Sequence, residues 1–92
     1  GALWSDVILA LNQHGRAPVT LQSYVTFSIG GSLSVNAHGI TSDFTLSESV
    51  VEATILFLDP SSGQRVSARC RRDGDDEGSE RLRHAIGGYG LF

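Results

Sequence analysis

Ser32–Phe44 (SLSVNAHGITSDF), Glu48–Asp59 (ESVVEATILFLD), Pro60–Gln64 (PSSGQ) and Arg65–Arg72 (RVSARCRR) form the stretch whose reading decides the fold. Val66, Ala68 and Cys70 alternate with Arg65, Ser67, Arg69 and Arg71, a period of two that marks a strand with one face buried and one wet. Val50–Leu58 is too rich in β-branched and aromatic residues for a comfortable helix and reads as a buried strand. Asp59-Pro60-Ser61-Ser62-Gly63 supplies the turn between them. Upstream, Ser34-Val35-Asn36-Ala37-His38-Gly39 reads as a tight glycine turn after a short strand begun at Leu33.

Working outward, Val19, Leu21, Ser23, Val25, Phe27 and Ile29 alternate with Thr20, Gln22, Tyr24, Thr26 and Ser28, predicting a long strand over 19–29. Gly30-Gly31 reads as its hairpin turn and Leu33–Val35 as the return strand. Ile40, Ser42 and Phe44 continue in extended form, and Leu46–Ser49 makes a loop. Asp73–Glu80 (DGDDEGSE) reads as a solvated, mobile acidic loop, and Leu82–Phe92 as a closing strand. About six strands in so short a chain predict an all-β domain, a small six-stranded antiparallel barrel over 13–92. Residues 1–12 are expected to form an amphipathic helix or linker, with Trp4, Val7, Ile8 and Leu11 on one face. Ser5 is placed to cap its first turn, Asp6 lies near the positive end of its dipole, and Gly15 ends it. An exposed Trp4 and Leu9 would be costly in water, so this helix is expected to dock on the barrel, a neighbouring domain or a protein partner.

The chain has 92 residues, 40% of them apolar, and eleven glycines, enough for one turn-rich domain. Its net charge is −3, which argues against a general DNA or RNA binder, although all seven basic residues are Arg. No apolar run reaches the roughly 18 residues of a membrane span. The chain begins with Gly and contains no Met, which reads as a trimmed piece of a longer polypeptide. Cys70 has no partner for a disulfide, so a reducing, cytoplasmic setting is expected, with Cys70 as a small buried hydrophobe.

The residues of the 34–39 turn, together with Arg16 upstream, carry a resemblance. In order and spacing, roughly Gln13–Phe92 resembles a PilZ domain, the bacterial receptor module for cyclic di-GMP. The resemblance implies a six-stranded β-barrel and two ligand elements, an R-x-x-x-R segment and a D/N-x-S-x-x-G turn. Arg16 takes the second Arg position, and Asn12 falls at the first. Gly39 matches the glycine, Asn36 stands where Ser is expected, and Ser34 where Asp or Asn is expected. The candidate ligand residues are therefore Arg16, Ser34, Asn36 and Gly39, with Asn12, His38, Arg69 and Arg71 as auxiliaries. Loss of one charge-assisted Arg contact costs about 1.5–3 kcal/mol, or roughly one to two decades of affinity.

Catalytic constellations are not legible. No nucleophile elbow, P-loop or paired-Cys motif is present, and His14, His38 and His84 lack metal-ligand spacing. Asp75, Asp76 and Glu77 do not follow a calcium-loop pattern. The expected function is a non-catalytic PilZ-like regulatory module without a resident cofactor, its cyclic di-GMP binding weak or lost, acting in protein interaction or domain coupling. One alternative is a competent receptor that orders its Arg16 segment over the ligand, helped by the Arg69–Arg72 cluster. Another is a structural β-domain of a secreted or envelope protein.

Overall fold

A computed structural model describes residues 1–40 and 43–91. It contains helix α1 (Trp4–Asn12), helix α2 (Ile29–Ser34), a 3-10 turn at Leu46–Ser49, strands β1 (Glu52–Leu58) and β2 (Arg65–Arg71), and helix α3 (Glu77–Ala85). The strands form one two-stranded antiparallel sheet, with Glu52 opposite Arg71, Ile55 opposite Ala68 and Leu58 opposite Arg65. The expected six-stranded barrel is not formed: three helices stand beside an open hairpin.

α1 is where the sequence places it, but its start is held differently. Leu3 N–H donates to the Asp6 carboxylate at 2.8 Å, the reach-back half of a capping box, so Asp6 rather than Ser5 does the capping. The next two N–H groups are taken by the loop before α2: Trp4 donates to Phe27 O and Ser5 to Val25 O. This is why 19–29 is not a strand. Its carbonyls satisfy the orphan donors of α1 rather than a neighbouring ladder, and Ile29 N–H returns to Ala2 O. At the other end, Gly15 at φ +62 donates to Asn12 O while Arg16 donates to Leu11 O, a Schellman stop.

Gly30-Gly31 does not turn a hairpin, and Leu33–Val35 is not a return strand; Ile29–Ser34 is helical. Ser28 caps this helix, its hydroxyl accepting from Gly31 N–H at 3.1 Å. The stop is again a Schellman motif: Ala37 N–H donates to Ser32 O and Asn36 N–H to Leu33 O, with Asn36 at φ +48. The expected extended run at Ile40, Ser42 and Phe44 rests partly on Ser42, which lies outside the described residues. Thr45 N–H donates to the Glu48 carboxylate, so Leu46–Ser49 is an ordered 3-10 turn.

The acidic run is not a loop throughout. Asp76 accepts from both the N–H and the hydroxyl of Ser79, each at 2.8 Å, and starts α3. The expected closing strand Leu82–Phe92 is instead the end of α3 followed by turns, and Phe92 lies outside the described residues. Leu82, Ala85 and Ile86 pack on the inner sheet face of Ala53, Ile55, Phe57, Ala68 and the fully buried Cys70. Arg81 pairs with Glu77 and sets its guanidinium 4.2 Å from the Phe57 ring centroid.

A second apolar cluster gathers Trp4, Ala37 and Leu46 with Val7, Leu21, Val25, Ile29 and Leu33. Trp4 is 6% exposed, so it belongs to the core and not to a free helix face, whereas Leu9 is exposed. Gly87 N–H donates to Leu33 O, Tyr89 N–H to Ser34 O and the Arg72 guanidinium to Ser47 O, which join the two clusters into a body of 43 × 24 × 23 Å.

Candidate functional site

Two open clefts flank α2. One, of about 260 Å³, is lined by Gln22, Phe27, Ser28, Gly31, Ser32 and Val35. The other, of about 250 Å³, lies where the two clusters meet, with Gly30, Leu33 and Ser34 facing Ala53–Leu56 of β1 and Leu82 and Ile86 beside them. Each is smaller than a typical pocket for a whole organic ligand.

The polar wall of the first cleft is built by a relay. Trp4 Nε1 donates to Ser32 Oγ at 3.1 Å, and Ser32 Oγ donates to Gln22 Oε1 at 3.3 Å. The relay fixes the Gln22 amide and ties α1 to α2. No carboxylate, imidazole or thiol lines either cleft, so their chemistry is hydrogen bonding and apolar contact. Gly30 lines the second cleft with open space where a Cβ would lie, whereas a Cβ at Gly31, in the first, would meet Ser28 Oγ at 2.8 Å.

Ser34, Asn36, His38, Gly39 and Arg69 each make a local bond. Ser34 lines the second cleft, but its hydroxyl donates to Gly31 O at 2.8 Å. Asn36 Oδ1 accepts from Ser47 Oγ at 2.9 Å. Gly39 is buried, its N–H donating to Phe44 O. His38 bridges to Thr45 and sets Nδ1 2.7 Å from Gly39 O. Arg16 is exposed and follows the stop of α1, and Asn12 is the last residue of that helix. Arg69 and Arg71 lie on β2, where Arg69 Nε pairs with Glu52 at 2.5 Å. Asn36 is thus a helix stop and Ser34 a helix residue, so the six-residue span runs out of α2 rather than forming a tight glycine turn after a strand. The cleft residues Gln22, Ser28 and Ser32 were missed. Ser28 three residues before Gly31, followed by the apolar pair Ile29 and Leu33, was the cap signal that pointed to α2.

Two carboxylates are held below the ordinary aspartate value of 3.8. The Ser62 hydroxyl bonded to Asp59 lowers its pKa, and the Ser79 N–H and hydroxyl do the same for Asp76. Both act at turns and caps, away from the clefts. Among the described residues no group of His, Cys, Asp and Glu is arranged to hold a metal, and no helix is long and apolar enough to cross a membrane.

Over its whole length the chain is similar to cytokinin dehydrogenase 5 of Arabidopsis thaliana, with 34% identity across 93 aligned positions. It spans 16% of that protein's length. No protein-family model matches the chain, and no solved structure matches it.

Proposed function

We propose that this chain is one segment of a larger dehydrogenase-related protein, supplying scaffold and part of a binding surface rather than a complete catalytic centre. The observation that carries the reading is the 34% identity running end to end through this chain while covering 16% of the plant enzyme.

The surfaces agree with a segment. Among the described residues the sheet has two strands whose outer edges make no backbone hydrogen bond, Leu56 is 76% exposed, and both clefts are open and small. Gly30 adds a physical reason. A helical glycine costs about 0.5–1 kcal/mol relative to alanine, and outside its own helix no described residue comes within 4 Å of a Cβ at this position. A glycine there leaves room for close approach from outside, by a ligand or by a neighbouring part of a larger protein.

A dehydrogenase passes hydride to an acceptor such as a nicotinamide or a flavin. The Ser28 hydroxyl and the Gln22 amide in the first cleft, and the exposed backbone at Gly30 in the second, suit the holding of part of such a molecule. Groups that move protons would come from other segments, since neither cleft contains one. Cyclic di-GMP recognition is not favoured by any of these contacts: Ser34 and Asn36 spend their side chains on Gly31 and Ser47.

The test is a chimaera in which this chain replaces the matched segment of the Arabidopsis enzyme, assayed for oxidation of a cytokinin with a dye as electron acceptor. Measurable turnover supports the segment reading. A folded chimaera without turnover, while conservative substitutions elsewhere in that protein are tolerated, overturns it.

A further inference from the structure

The two apolar clusters share no residue: Trp4, Ala37 and Leu46 centre one, and Ile55, Cys70 and Leu82 the other. The second cleft, of about 250 Å³, opens where they meet, with Leu33 facing Ala53 and Ile55. A strap of residues 87–91, following α3, ties the sheet and α3 back to α2. Gly87 N–H donates to Leu33 O at 3.0 Å and Tyr89 N–H to Ser34 O at 2.9 Å. Leu33 and Ser34 are the last two residues of α2, so the strap holds that helix by its end. The clusters are also joined by the bond from the Arg72 guanidinium to Ser47 O and by the chain itself at residues 50–51.

The strap stores strain. Gly87 and Gly90 stand at φ +73, a conformation open to glycine, but Tyr89 between them stands at φ +52. There its Cβ crowds the backbone. Burial of the ring does not offset this, since Tyr89 is 72% exposed, and Leu91 beyond it is 89% exposed. The Tyr89 conformation is thus held by the backbone bonds of the strap, and strain held in this way is characteristic of switch segments.

We propose that residues 87–91 are a latch. When its two bonds to α2 release, Tyr89 relaxes to negative φ, the two clusters part about residues 50–51, and the second cleft widens. The latch is built from this chain alone and stands or falls independently of the segment reading.

Amide relaxation dispersion by NMR, which reads motions on the μs–ms scale, tests this in the intact chain. The amides of Gly87, Tyr89, Leu33 and Ile55 are expected to report one shared exchange process. Tyr89→Gly relieves the strain and should lower the released population by roughly 3-fold. Gly87→Ala adds strain at φ +73 while its Cβ meets only Asn36 Cβ at an ordinary 3.6 Å, and should raise that population by roughly 3-fold or more. Leu33 and Ile55 should follow Gly87 in both variants. Exchange confined to residues 87–91 would show a fraying end and no latch. That result, equal released populations in the two variants, or no exchange process in Gly87→Ala would each overturn the proposal.

Discussion

Trp4 and Ser32, 28 residues apart in sequence, share a buried hydrogen bond of 3.1 Å that fastens α1 to α2. The indole N–H has no water to fall back on, and Trp4 also forms the floor of the apolar cluster with Ala37 and Leu46. Ser32→Ala leaves the donor unpaired and is expected to cost about 1–3 kcal/mol. Trp4→Phe loses the donor while keeping most of the apolar contact, so it should be milder than Trp4→Leu. Urea titration followed by circular dichroism reads both; an unchanged midpoint in Ser32→Ala would show that the bond contributes nothing.

Glycine 74 and glycine 30 should respond to alanine with opposite signs. A Cβ at Gly74 would lie 2.3 Å from Ser79 Oγ, which is fully buried and bonded to the Asp76 cap. Gly74→Ala must push that hydroxyl off Asp76, leaving the Ser79 N–H bond, at a cost of about 1–3 kcal/mol. Gly30→Ala meets nothing and should stabilise the isolated chain by about 0.5–1 kcal/mol. In the chimaera the same Gly30→Ala is expected to reduce turnover. A Gly30→Ala chimaera of full activity would remove the argument for close approach at this position.

Acid should loosen the turn at Asp59 and the start of α3 together. Both Asp59 and Asp76 have folded pKa values below the ordinary 3.8. Their bonds to Ser62 and Ser79 therefore contribute fully above the ordinary value and are lost as pH falls through the depressed one. Helical circular dichroism should hold down to about pH 4 and decline below it. Asp76→Asn keeps a capping oxygen that does not titrate, so the α3 share of that decline should disappear.

Cyclic di-GMP titrated into the chain is expected to release no heat, because the side chains of Ser34 and Asn36 are already bonded within the fold. Low-micromolar binding abolished by Arg16→Ala would restore the receptor reading in spite of the absent barrel.

The elements legible in the sequence are those decided within a short span of chain. α1 announces itself by apolar spacing and Gly15, and the β1–β2 hairpin by alternation around Asp59–Gly63, because turn and ladder are built from neighbouring residues. The same holds for Cys70, whose burial follows from its parity on β2. α3 was also present in the sequence: Asp76 three residues before Ser79 is a cap, and Leu82, Ala85 and Ile86 are spaced as a helical stripe. Its acidic composition concealed that pattern.

Residues 19–35 are the opposite case. Their alternation fits a strand, and Gly30-Gly31 is a poor helix start on propensity alone. Tertiary structure overrides both, since the Val25 and Phe27 carbonyls serve the N-terminus of α1, and Ile29 and Leu33 pack on Trp4 and Leu46. A period of two in side chains says which residues share a face but not what accepts the backbone hydrogen bonds. That partner lies some twenty residues away in this protein, and only the folded chain brings it there.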